Sequence, residues 1–438
     1  MKVIHGYPMR YNAGSEIYSQ MLCQALADKH EVHVFTRQEN PFIPDYTIKT
    51  ETDEDDQRIT LHLVNLDGDR HRYRYRHQEV DIQFGKLLDQ IQPQIVHVGH
   101  LHHLSTSLIK EAYNRRIPIV FTLHDYWLMC PRGQFMQRIG IDKDKLWPVC
   151  DGQENRKCAT HCYSGCASGA LENWEREINF WEDWVKERML HIREMVKLVD
   201  YFLAPARYLY KRFVEEFGLP EKKITYLDYG FDLKRFVKSR QRTTGEAFTF
   251  GYIGTHIPAK GIQYLIEAFS LLKGNCLLRI WGRSNQHTAA LKSMIQSFQN
   301  SIENRVEWMG EYRNNDVMMD VFNKADCIVV PSIWVENSPL VIHEALQARV
   351  PVITADVGGM AEYIHHEVNG LLFEHRNTNS MAAQMQRLLD NPDFSAKLSC
   401  EGYLQSADRN IPNMPAHVAA IEKIYQRLIM NKRIACVS

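Results

Sequence analysis

The chain has no excess of one charge. Its 52 lysines and arginines meet 53 aspartates and glutamates, a formal net charge of −1. No global field therefore draws it to nucleic acid. No apolar run reaches the roughly 20 residues that span a bilayer. The opening residues, MKVIH, read straight into a first strand, which leaves no room for a signal peptide. That reading places the protein in the cytoplasm and makes its ten cysteines reduced thiols or metal ligands. There is no internal repeat beyond a doubled α/β pattern. A single core is too small for 438 residues, so two domains are expected.

The amino-terminal half alternates strands and helices. Met1–Gly6, Val32–Thr36, Ile95–Val98 and Ile119–Leu123 read as strands. A glycine-bearing turn at Tyr11–Glu16 opens a helix with Ile17, Met21, Leu22, Ala25 and Leu26 on one face. Alternation of this kind predicts a parallel sheet with helices on both faces. Gly14 opens the helix where phosphates can approach the backbone. His124 and Asp125 lie just past a strand end, where open α/β sheets place ligands. A histidine there can hydrogen-bond a reacting sugar and titrate near neutrality. The carboxyl half restarts the pattern at Phe248–Ile253, Leu277–Trp281, Val306–Met309 and Cys327–Pro331. The polar, basic stretch Asp228–Ala247 reads as the boundary. The domains expected are 1–235, with a cysteine-rich insertion at about 130–180, then 247–405, then a terminal helical segment over 406–438.

The most informative run is PSIWVENSPLVIHEALQARVPVITADVGGMAEYI. A buried strand ends in a polar loop holding Glu336. Ser338 can cap a helix with Pro339 at its first position. That helix start offers free N–H groups and a positive dipole end to a phosphate. Glu344 follows two turns on, so one carboxylate can reach a sugar while the other reaches ribose hydroxyls.

This run resembles the donor-binding signature of retaining glycosyltransferases of the GT-B fold, in particular glycosyltransferase family 4. The family's two glutamates eight apart fall on Glu336 and Glu344, its proline on Pro339, and its later strand and glycine pair on Pro351, Val352, Ile353, Gly358, Gly359 and Glu362. The resemblance covers Met1 to about Met430. It implies two Rossmann-like doubly wound domains facing across a cleft, with the last helix returning to the first. It implies that His124, Glu336 and Lys260 serve catalysis. Donor binding would fall to Gly14, Lys260, Gly282, Arg283, Glu336, Asn337, Ser338, Pro339, Leu340 and Glu344. An arginine usual in the family about five residues before the lysine is replaced here by Thr255 or His256, so either charge neutralisation is weaker or His256 or another basic residue takes the role. The donor implied is a UDP-, GDP- or ADP-sugar, with no metal needed beyond it, and the acceptor a glycan or lipid-linked hydroxyl.

Two features lie outside that pattern. Cys130, Cys150, Cys158, Cys162 and Cys166 crowd one region, three of them at four-residue spacing that puts their sulfurs on one helical stripe. They could supply the four ligands of a structural zinc, although the spacing is not the usual knuckle. Arg70, Arg72, Arg74 and Arg76 share one face if extended, which suits an anionic acceptor or peripheral contact with the inner face of a membrane. The rival readings are a non-catalytic zinc-bearing scaffold on this fold and a metal-dependent GT-A transferase. The second would use Asp67-x-Asp69, Asp53-x-Asp55 or Asp142-x-Asp144.

Overall fold

The computed structural model describes residues 1–8, 10–66, 75–138, 147–164, 174–236, 246–299 and 305–437. It divides into two compact units, Met1–Gly230 with Met414–Ser438, and Phe231–Asn413. The divisions fall at Gly230 and Asn413, where the sequence placed them at 235 and 405. The stretch read as a polar linker begins as core. Phe231 is fully buried, Leu233–Arg235 forms a turn of 3₁₀ helix, and Phe236 is buried.

The first unit holds strands β1 (Lys2–Val3), β2 (Val32–Gln38), β3 (Ile48–Thr52), β4 (Ile59–Asn65), β5 (Val96–Val98), β6 (Ile119–Thr122), β7 (Tyr201–Ala204) and β8 (Ile224–Tyr226). They form one sheet in the order β3-β4-β2-β1-β5-β6-β7-β8. Every pairing is parallel except β3 with β4. The second unit holds β9 (Phe248–Ile253), β10 (Cys276–Trp281), β11 (Arg305–Gly310), β12 (Cys327–Val330), β13 (Val352–Ala355) and β14 (Gly370–Phe373). These run parallel in the order β11-β10-β9-β12-β13-β14. Strands such as Cys327-Ile-Val-Val330 are buried along their whole length, as a sheet covered on both faces requires. In each sheet the first strand has neighbours that the chain reaches in opposite directions, β2 and β5 around β1, β10 and β12 around β9. Such reversal points open a crevice at the carboxyl ends of the strands.

The helix Gly14–Leu26 forms as expected but turns a different face inward. Glu16, Tyr18, Ser19, Gln20, Leu22 and Cys23 are buried, whereas Ile17, Met21, Ala25 and Leu26 are only partly covered. The polar residues are inside because they have partners there. Gln20 donates to Asp55 (3.0 Å), and the Tyr18 hydroxyl meets His417 Nε2 (2.8 Å). His417 lies on the terminal helix Met414–Val437, which packs on the first unit through Val418, Ile421, Tyr425 and Leu428. Tyr425 adds a hydrogen bond to buried His97 at 2.5 Å. The helix Trp174–Lys197 buries Trp181 and Val185 but leaves Phe180 exposed. No helix among the described residues is long and apolar enough to cross a membrane.

Candidate functional site

In the second unit, the loops leaving β9 and β12 meet at the reversal point. The β9 loop ends in the 3₁₀ turn Pro258–Lys260, closed by Gly261 at φ +71°. That left-handed conformation suits glycine, and a Cβ there would also strike the Pro331 carbonyl oxygen at the end of β12. The close approach brings Lys260 Nζ to 3.0 Å from Glu336 Oε1. Ser332 donates a second hydrogen bond to the same carboxylate oxygen. Gly359 N donates to the Glu336 carbonyl (2.9 Å), and a side chain at Gly359 would collide with the Asn337 carbonyl. The two loops and the Gly358–Tyr363 helix thus fix Glu336, Asn337 and Ser338, all buried.

The helix behind them departs from the sequence expectation. It spans Leu340–Gln347 with Pro339 as its N-cap, ψ 118°, and no side chain caps it. Pro339 is therefore not the first helical residue and Ser338 is not the cap. The extended Pro339 starts the helix one residue later, and the Ser338 hydroxyl instead accepts from Tyr363 at 3.1 Å. Pro339 offers the first turn no side-chain acceptor, as at helix starts that receive an anion.

Glu344 sits on this helix, buried, with its carboxyl pushed from 4.5 up to about 7 by burial. Arg235 and then His343 partly oppose the rise. Arg235 was read from sequence as part of a basic linker; its Nη2 donates to the Asn314 backbone carbonyl and to Asn314 Oδ1. Nothing in the local pattern marks it, because its partners are about 80 and 110 residues away. Ser332 was missed for the opposite reason, since one serine in a polar loop carries no signal of its own.

Gly282 N donates to Gly310 O (2.8 Å), joining the turns after β10 and β11. Arg283 is half exposed, 3.4 Å from Glu311, and its carbonyl accepts from His256 N. His256 does not supply the missing cation. It is 1 % exposed, with Nδ1 3.1 Å from Thr288 Oγ1. Burial, then nearby Lys292, holds it below 6.5, so it is neutral at pH 7.

In the first unit, Gly14 is exposed at the start of a 13-residue helix that has no side-chain cap. His124 is buried past the end of β6, with Nδ1 2.7 Å from the Tyr229 hydroxyl. Its pKa lies well below 6.5, through burial first and then Lys2, His100 and His5. It is therefore a neutral hydrogen-bonding group rather than one titrating near neutrality. Asp125 accepts from Trp127 N (2.7 Å) and from His100 Nε2 (3.2 Å). Arg76 is exposed beside the Tyr75 ring, while Arg70, Arg72 and Arg74 lie outside the described residues.

The cysteine region runs from the helix Asn155–Cys158 directly into a π-helical turn, Ala159–Tyr163, that carries Cys162. Burial pushes the Cys158 thiol up to about 12 and Cys162 up to about 11. The Cys150 Sγ lies 3.0 Å from the Gly152 carbonyl, and Cys130 is buried. Among the described residues, no group of three or more histidines, cysteines or carboxylates is placed to hold a metal ion. Cys166, the fifth cysteine of the zinc expectation, lies outside them. Of the Asp-x-Asp pairs, only Asp53 and Asp55 are described. Asp53 accepts from Tyr7 (2.8 Å) and from Asp55 N (2.8 Å), which braces a turn.

Residues 13–235 match the model of Glycosyltransferase Family 4, and residues 234–405 that of Glycosyl transferases group 1. An uncharacterized glycosyltransferase of Methanocaldococcus jannaschii is 32% identical over 145 residues, 33% of this chain and 36% of that protein. The Escherichia coli UDP-Gal:alpha-D-GlcNAc-diphosphoundecaprenol alpha-1,3-galactosyltransferase is 23% identical over 233 residues, 50% of this chain and 58% of that protein. The chain thus spans about a third to three fifths of these curated relatives. Among solved structures, the sucrose-phosphate synthase of Thermosynechococcus elongatus superposes at TM-score 0.68 with 17% identity, over 98% of both chains. HepE of Anabaena, in complex with UDP-glucose, superposes at 0.67 with 14% identity, over 97% of this chain and 98% of its own. These likenesses show the two-sheet GT-B fold and set aside the GT-A alternative. By its family match and its fold, the chain belongs to glycosyltransferase family 4.

Proposed function

We propose that this chain moves a sugar from a nucleotide-sugar donor to a hydroxyl of a glycan or lipid-linked acceptor, with retention of anomeric configuration. The observation that carries the reading is the Lys260–Glu336 pair at the reversal point of the second sheet, beside a helix start with no side-chain cap. The donor diphosphate sits against that helix start, and Lys260 turns from Glu336 to neutralise it as it leaves. Glu336 holds the donor sugar and Glu344 the ribose hydroxyls. Leaving-group charge is met by a lysine and backbone dipoles, so the chemistry needs no divalent metal of its own. The acceptor hydroxyl attacks from the face the nucleotide leaves, and the departing diphosphate takes its proton. His124, neutral and buried past the end of β6, is a hydrogen-bonding group for a sugar hydroxyl.

The E. coli relative's name, a galactosyltransferase acting on a lipid diphosphate, supports a setting in polysaccharide, O-antigen or glycolipid assembly at the cytoplasmic face of a membrane. HepE's complex with UDP-glucose supports a UDP-sugar first among the UDP, GDP and ADP donors. A screen of nucleotide sugars by thermal stabilisation names the donor, because a ligand that binds only the folded state raises its melting temperature. NMR of the anomeric proton in the product then reads retention. An inverted product, or no stabilisation by any nucleotide sugar, sinks the reading.

A further inference from the structure

The backbone of the loop Ser332–Glu336 is fixed at both ends and between them. Gly261 lies against the Pro331 carbonyl at its start. Ile333 N donates to Ala259 O (3.0 Å), His375 Nε2 donates to Ile333 O (3.0 Å), and Gly359 N donates to Glu336 O (2.9 Å). The turn that carries Lys260 and the loop that carries Glu336 therefore form one framework. What can move between them is side chains.

The Glu336 side chain is held at one oxygen only. Lys260 Nζ lies 3.0 Å from Oε1, and the Ser332 hydroxyl donates to the same Oε1. No described residue donates to Oε2. The Glu336 side chain is 7 % exposed, whereas that of Lys260 is 31 % exposed, with its Nζ 5.6 Å from the centre of the Trp334 ring. The lysine is free to turn toward an incoming anion. The carboxylate has little access to water and cannot replace a lost partner from solvent.

A carboxylate so placed needs at least one hydrogen-bond donor throughout. With Lys260 beside it, Glu336 has two. Catalysis takes one away, because the lysine must face the leaving diphosphate. What remains is Ser332, 1 % exposed, two residues past the end of β12, with one proton to give.

We infer that Ser332 is a positioning residue that releases Lys260: its hydroxyl keeps Glu336 Oε1 bonded after the lysine has turned to the donor diphosphate. The inference rests on the transferase reading, and within it on the movement of the lysine. Without the hydroxyl, freeing Lys260 removes the last donor from a buried carboxylate. The lysine then stays with Glu336, and the diphosphate loses its cation.

Calorimetric titration of the full chain with UDP, GDP and ADP finds the diphosphate that binds, and that nucleotide is the probe. It carries no sugar, so no sugar hydroxyl can stand in for the serine. Ser332→Ala should weaken it about tenfold, the lower end for a hydrogen bond to a charged group. A serine that merely shaped the loop would do the same, so the substitution is repeated in Glu336→Met, which has no carboxylate to satisfy. There Ser332→Ala should change the affinity by less than about twofold, because the lysine leaves no charge behind. Where Glu336→Met does not fold, Glu336→Gln removes the charge, and the tenfold loss should shrink below about threefold. An equal loss in both backgrounds assigns Ser332 to loop structure and overturns the inference. So does an unchanged affinity in Ser332→Ala alone. A wild type that binds none of the three diphosphates overturns the transferase reading and the inference with it. A wild type that binds one of them leaves that reading standing whichever way the serine variants fall.

Discussion

Replacing Glu344 with glutamine should make the protein more stable and less able to bind donor, with the stability gain growing as pH rises. The carboxyl is buried and its pKa goes from 4.5 to about 7. A carboxyl raised in the folded state favours folding most below its unfolded pKa, and that contribution is lost as pH climbs through the folded value. At about 1.4 kcal/mol per pKa unit, the ionised group costs the fold about 3 kcal/mol by pH 8, and under about 1 kcal/mol at pH 5. Glutamine keeps the shape and carries no charge. The stability difference between Glu344→Gln and wild type should therefore widen by about 2–3 kcal/mol from pH 5 to pH 8. Urea unfolding of the full chain at the two pH values, with hydrogen exchange in 340–347 to localise the change, measures it. Calorimetric titration with the stabilising donor should show a loss of about 1–3 kcal/mol, the range for hydrogen bonds to a charged group. Donor affinity of the wild type should rise through pH 7 as the carboxylate forms. A pH-independent stability difference would refute the argument that burial strains this group, and unchanged donor affinity would remove Glu344 from the site.

Lys260→Ala should lower turnover and donor affinity together, because the charge acts on the leaving diphosphate; steady-state kinetics with calorimetry separates the two. His124→Ala should lower turnover while UDP affinity stays within about twofold; lost UDP binding in a folded variant would contradict its placement at the sugar end. Gly261→Ala should destabilise the second unit by at least about 1–3 kcal/mol, since both the left-handed backbone and the Pro331 carbonyl oppose a side chain, as denaturant melts would show. Tyr425→Phe leaves buried His97 short of a partner and should destabilise the first unit by about 1–3 kcal/mol, seen as faster exchange in β5 and β6. Chelation with EDTA should leave turnover unchanged, and elemental analysis of protein purified without added metal, with thiol counting, decides whether the cysteine region carries zinc.

Strand positions were readable because parallel strands buried on both faces are short runs of valine, isoleucine and phenylalanine, a pattern local in the chain. β9 matches its expected bounds, and β12 ends one residue short of them. Helix faces were less readable. The inward face of Gly14–Leu26 is partly polar, and hydrophobic periodicity cannot find a residue that is buried because it is hydrogen-bonded. The cap at Ser338 failed because composition suggests a capping residue, while the backbone angle at Pro339 decides where the helix begins.

Of the proposed donor site, the sequence by itself singled out Lys260, Glu336 and Glu344, since each stands at a fixed distance from a strand end and the signature is written in order along the chain. It determined the doubled α/β architecture for the same reason. Only the tertiary structure decided what surrounds them. The lysine faces Glu336 because Gly261 lets two loops from strands nearly 80 residues apart touch. Arg235 reaches Glu344's surroundings from what looked like a linker, and the Tyr229 hydroxyl meets His124 Nδ1 within the first unit. Burial, charge state and tautomer are properties of neighbours brought together by folding, and a linear pattern of residues does not contain them.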